Sequence, residues 1–181
     1  MKKETTQPQT TEEPTVQVAP ESYDPSNEDM ESAEFNLEEE YKPTPLVPGG
    51  RYLGNITGVK YVQEDETVLW EVVLDENGGV CNDGETPVDG VKLFTRNWLP
   101  KVGDECEMTK DGKMNKRQAK VNMLKRFQDD MKIDMNSKSI ILSSIQNQEW
   151  LGAAVLLDVG VREYEGRFFN EIKRMHARVT G

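Results

Sequence analysis

The chain has 181 residues, with 22 Lys and Arg against 33 Asp and Glu, a net charge of −11 and a mean hydropathy of −0.72. That length suits one domain with a tail, and a single histidine (His176) with two cysteines (Cys81 and Cys106, no CxxC) leaves too few ligands for a zinc site of the usual kind. No apolar run follows Met1-Lys2-Lys3, so neither signal peptide nor membrane span is expected; the reading is a cytoplasmic protein with two free thiols.

The charge is unevenly placed. Residues 1–45 hold twelve Asp and Glu against three Lys, a local charge of −9; the remainder holds nineteen cations against twenty-one anions. The first 45 residues are Thr/Gln/Pro-rich and then Glu-rich, too apolar-poor to offset the entropy of ordering them, and are expected to form a disordered acidic arm. Within it, Glu31 to Tyr41 sets Phe35 and Leu37 in acid and could become a short helix on a partner. The body, 46–181, is nearly neutral, so local patches decide what it binds.

Prolines 43, 45 and 48 with Gly49 and Gly50 mark the boundary. Arg51–Val62 then predicts a strand, in which Gly54 and Gly58 suggest a bulge or sharp bend. Thr67–Leu74 predicts a second strand, 75–89 a polar mobile loop, and Gly90–Leu99 a third strand stopped by Pro100. From about Met114 to Met131 the residues Ala119, Met123, Leu124, Phe127 and Met131 recur at helical steps, and a second short helix fits Ser139–Gln146. Strand patterns return at Gly152–Tyr164 and Arg167–Met175, joined by a Glu165-Gly166 turn. Five strands with helix between the third and fourth is the order of the OB-fold, a five-stranded barrel that the last hairpin would close. A five-stranded sheet with a packed helix in another topology satisfies the same pattern.

Catalysis finds no support in the pattern. One histidine cannot supply a Ser/His/Asp set, Asp111-Gly112-Lys113 lacks the glycine and Ser/Thr of a phosphate loop, and no cofactor motif occurs. The expectation is a non-enzyme without cofactor or metal. Binding has more substance. By strand alternation Lys92, Phe94, Arg96 and Trp98 share one face of the third strand, and Val91, Leu93, Thr95, Asn97 and Leu99 the other. Burying the aliphatic set presents cations for phosphates and rings for bases, the combination that holds single strands; burying Phe94 and Trp98 instead makes them core. A basic cluster follows, Lys110 to Arg126, with only Asp111 inside it; Lys113, Lys116, Arg117 and Lys120 make one stripe if the helix begins early enough. In the last hairpin Tyr164, Arg167 and Lys173 are further candidates. Alternation puts Phe168, Asn170, Ile172 and Arg174 on one face and Arg167, Phe169, Glu171, Lys173 and Met175 on the other, with at least one phenylalanine in the core.

The succession Pro48-Gly49-Gly50, Trp70-Glu71-Val72, Leu93-Phe94, Leu124 with Arg126-Phe127, Trp150-Leu151-Gly152-Ala153, and Tyr164-Glu165-Gly166-Arg167 running to Asn170-Glu171-Ile172-Lys173-Arg174 resembles phage-encoded OB-type single-stranded DNA-binding or recombination-accessory proteins over about residues 46 to 176. The resemblance implies sequence-tolerant binding of single-stranded DNA in phage replication or recombination, in the host cytoplasm and away from membranes. It also implies replication or recombination proteins as partners of the acidic arm. Familiar bacterial single-strand binders carry that acidic segment at the C-terminus, whereas this chain ends Arg178-Val179-Thr180-Gly181. By charge alone the arm would compete with DNA for basic groups. The other reading from the residues is a non-catalytic interaction adaptor or minor structural phage protein on the same fold.

Overall fold

A computed structural model describes residues 37–178. The chain divides into two units at Pro43/Thr44. Of the first, residues 37–43 are described, with a one-turn helix α1 at Leu37–Glu40; the rest of the acidic arm, including Phe35, lies outside the described residues.

The second unit is mostly β. Its elements run β1 (Gly50–Val62), β2 (Thr67–Leu74), β3 (Lys92–Trp98), α2 (Lys116–Met131), α3 (Lys138–Gln146), β4 (Ala154–Tyr164) and β5 (Arg167–Ala177). The strands form one antiparallel sheet in the order β3-β2-β1-β4-β5. The expected closure is not made. The two outer strands are not hydrogen-bonded to each other, so the sheet is open, not a barrel, and the last hairpin ends it rather than closing it. α2 runs beside the seam: Phe127 and the exposed Met123 line a groove together with Thr95–Asn97 of β3 and Ile172–Met175 of β5. Arg174 is drawn to α2, where its Nε and Nη2 donate to both oxygens of Asp130 at 2.8 and 2.7 Å.

Glycines shape β1. The register with β2 shifts between Ile56 and Gly58, leaving Thr57 as the extra residue of a bulge. At Gly54 a Cβ would stand 2.8 Å from the Val73 carbonyl oxygen and 2.9 Å from Val72 Cγ1, so only glycine lets β1 cross β2 this closely.

The core lies under one face of the sheet. Trp70 is fully buried at its centre, its ring 5.1 Å from both Phe127 and Trp150, with Val68, Val72, Leu74, Leu93, Val155, Leu157 and Met175 around it. Its indole N–H donates to buried Asn97 Oδ1 at 2.6 Å, which places an amide on the inward face of β3. Both helices begin on side-chain caps: Asn115 accepts from the Gln118 N–H and Ser137 from the Ile140 N–H. The 75–89 loop is pinned, not loose. Asp89 accepts from the N–H groups of Asn77 and Gly78, and Asn77 bonds both backbone groups of Leu53. Both cysteines are free, Cys81 buried and Cys106 exposed. Among the described residues no helix is long and apolar enough to cross a membrane.

Candidate nucleic-acid interface

β3 alternates as its sequence requires. Leu93 and Asn97 are buried, and Lys92, Phe94, Arg96 and Trp98 stand on the outer face, with Phe94 52% and Trp98 45% exposed. The two rings are therefore surface groups at the edge of the sheet. The cations between them are not bare. Lys92 Nζ lies 3.2 Å from Glu71 and Arg96 Nη1 lies 3.0 Å from Asp65. Glu71 is the cross-strand partner of Phe94; its carboxyl is held below the usual range, first by the Thr57 hydroxyl (2.8 Å) and then by Lys92. These exposed pairs are individually weak, so an arriving phosphate competes with a carboxylate for each cation at little cost.

The β4–β5 hairpin supplies a second patch. Pairing of β1 with β4 ends at Gly50–Val159, while β4 and β5 stay paired to Tyr164–Arg167. Residues 160–171 are thus a two-stranded ribbon extending past the end of β1. Opposed residues share a face, so Arg162 with Phe169 and Tyr164 with Arg167 make one cation-and-ring surface, while Glu163, Phe168 and Val161 take the reverse. Arg162 packs 5.9 Å from the Tyr164 centroid. Both phenylalanines are exposed, contrary to the expectation that one is core: the ribbon outruns the core that would have covered it. Strict alternation also fails along β5. Lys173 is the extra residue of a bulge opposite Asp158/Val159, which lets both Ile172 and Met175 face inward. The Lys173 stem lies over Gly160, and its residue shares the seam groove with Arg96, Arg126 and Arg174.

The basic stripe is not formed. α2 begins at Lys116 behind the Asn115 cap, which leaves Lys113 in the Thr109–Met114 turn, near Asp111 at 3.8 Å. Lys116 pairs with Glu107, and Lys120, largely buried, pairs with buried Asp104 at 2.7 Å. Carboxylates from the 3₁₀ turn at Asp104–Cys106 and from Glu107 thus neutralise a run that looked nearly unopposed in sequence. Arg117 alone of the four has no ion-pair partner among the described residues. It stands in a separate cleft beside Pro100 and Lys138.

The structure therefore brings Lys92, Phe94, Arg96 and Trp98 onto one strand face and places Lys173 across the seam from Arg96. Tyr164 and Arg167 join Arg162 and Phe169 on the ribbon. Lys113, Lys116 and Arg117 belong to neither patch. Arg162 and Phe169 were recoverable from sequence, because a two-residue turn at Glu165-Gly166 pairs 162 with 169. Among the described residues no group of His, Cys, Asp and Glu could hold a metal. No protein-family model matches this chain, and no curated protein matches it significantly.

Proposed function

We propose that residues 44–178 bind single-stranded DNA, sequence-tolerantly and without catalysis, on an open sheet with the strand order of an OB-fold cut between its third and fifth strands. The observation that carries this is the outer face of β3, where two half-exposed rings alternate with two cations on a strand whose other face is core. Buried rings would have argued for packing alone; exposed ones offer faces on which bases stack, at about 1–3 kcal/mol each. The ribbon face of Arg162, Tyr164, Arg167 and Phe169 repeats the same chemistry. An accessory role in replication or recombination, in a phage, follows the resemblance of the sequence motifs.

The test is fluorescence anisotropy with a labelled oligo-dT at two salt concentrations. Three to five phosphate contacts give a log–log salt slope of about −2 to −3.5 on a single strand. Absence of binding at about 50 mM salt sinks the proposal and leaves the adaptor reading.

A further inference from the structure

A cleft of the body carries neither patch. It opens between α2, the start of α3 and the end of β3, encloses about 350 Å³, and has an aliphatic floor of Leu99, Val121, Leu124, Met135 and Ile141. Arg117, Lys125 and Lys138 stand on its rim. A second hollow continues from it over Pro100, Arg117 and Lys138, adding Lys101 and the fully exposed Val102. The result is an elongated groove, apolar below and cationic above. Its carboxylates are Glu66, already joined to Lys138 at 2.9 Å, and Glu105.

We propose that this groove docks an acidic peptide of a protein partner, with one bulky apolar side chain seated on the floor and flanking carboxylates on Arg117, Lys125, Lys138 and Lys101. Two features select this occupant. Among the described residues no aromatic ring lines either hollow, so a nucleic-acid base finds nothing there to stack on, whereas an aliphatic floor accepts a Phe, Leu or Ile side chain. The rim charge is complementary to carboxylates, and Arg117, free of any ion pair among the described residues, can meet one without breaking an existing pair. Val121, on the exposed side of α2 and 41% exposed, is the accessible part of the floor. Arg117 thereby belongs to a protein contact and not to a phosphate path.

The full chain is titrated into a fluorescein-labelled nonapeptide of Asp and Glu with one central Phe, and into the same peptide with Ala at the centre. Val121→Glu puts a carboxylate on the floor at an exposed position of a helix that accepts Glu readily; Arg117→Glu reverses the rim charge and serves if the first variant melts early. The Phe peptide is expected to bind, the Ala peptide about tenfold more weakly, and each variant to bind the Phe peptide about tenfold more weakly than the parent. Labelled oligo-dT, titrated in parallel, keeps its affinity for Val121→Glu. No binding of the Phe peptide up to about 1 mM, equal affinity for the two peptides, or indifference to both variants overturns the proposal. So does an equal loss of oligo-dT on Val121→Glu, which would assign the cleft to nucleic acid. Because oligo-dT is measured separately, failure of the groove and failure of DNA binding are distinguishable.

Discussion

Trp98 and Phe94 allow the stacking argument to be tested without unfolding the protein. Each is about half exposed on β3, unlike Trp70, which is fully buried between Phe127 and Trp150 and whose truncation to Ala would cost about 3–5 kcal/mol. Leucine is the informative replacement, since it keeps apolar cover over the sheet and removes only the flat ring. If each ring stacks one base, the lower end of the stacking range, about 1 kcal/mol, is the expected loss per site, or about fivefold in Kd. Four strand residues separate the two positions by about 13 Å, beyond the separation at which substitutions usually couple, so the losses should add to about 30-fold in the double variant. Anisotropy with oligo-dT reads the affinity, and urea unfolding of the same samples should move by less than about 1 kcal/mol. Parent-like affinity in the double variant would refute the platform. So would an affinity loss accompanied by an equal loss of stability, since the rings would then be packing groups.

The remaining expectations concern the frame around the site. Asn97→Ala leaves the Trp70 indole N–H buried without its acceptor and should lower unfolding free energy by about 1–3 kcal/mol in urea; an unchanged midpoint would mean the 2.6 Å bond contributes nothing net. Asp130 is held below the ordinary carboxylate value of 3.8, first by the Arg174 hydrogen bonds. Its stabilisation is therefore complete above that value and fades as pH falls through the lower folded one. The stability gap between parent and Asp130→Asn should be flat above about pH 5 and shrink steadily as pH falls below about 4; a gap that stays constant or widens down that range contradicts this. Gly54→Ala drives a methyl into the Val73 carbonyl and Val72, and should cost about 1–3 kcal/mol by thermal or urea unfolding. Glu165 sits at φ 50° before Gly166 at φ 74°, both positive as in a type I′ turn. Asn tolerates that conformation better, so Glu165→Asn should raise stability by a few tenths of a kcal/mol, read as a higher midpoint; a fall would contradict the turn.

What could be read in the sequence was what local pattern controls. Thr67–Leu74 has its observed bounds because an apolar run between an acidic turn and a Gly-rich loop has one plausible home. The Leu124-Phe127-Met131 spacing announces α2, and the Lys92–Trp98 alternation announces which residues face out. What could not be read depends on partners distant in sequence. Asp65 reaches Arg96, Glu71 reaches Lys92 and Asp104 reaches Lys120, so counting cations along the chain overstated the free positive charge. The bulge at Lys173 is one extra residue and leaves no mark in composition, yet it inverts the alternation that assigned faces to β5. Closure is the extreme case. An open sheet and a barrel share the same strand order and differ only in whether β3 and β5 bond, a pairing between strands about seventy residues apart that no local pattern encodes.

The open edge gives the charges on β3 a second role. An unpaired strand risks pairing with another chain, and charged side chains are a common defence. Lys92 and Arg96 on edge strand β3 therefore have a structural reason to exist whether or not DNA binds, and their carboxylate partners fit that role equally well. Phe94 and Trp98 have no such reason. Exposed rings on an edge strand increase the hazard the cations reduce, and they are removed from the buried cluster that uses Trp70, Phe127 and Trp150. The same holds for Tyr164, Phe168 and Phe169 on a ribbon that outruns the core. The rings, more than the charges, carry the inference of a ligand with flat, stackable faces, which is why the leucine substitutions and not charge reversals are its decisive test.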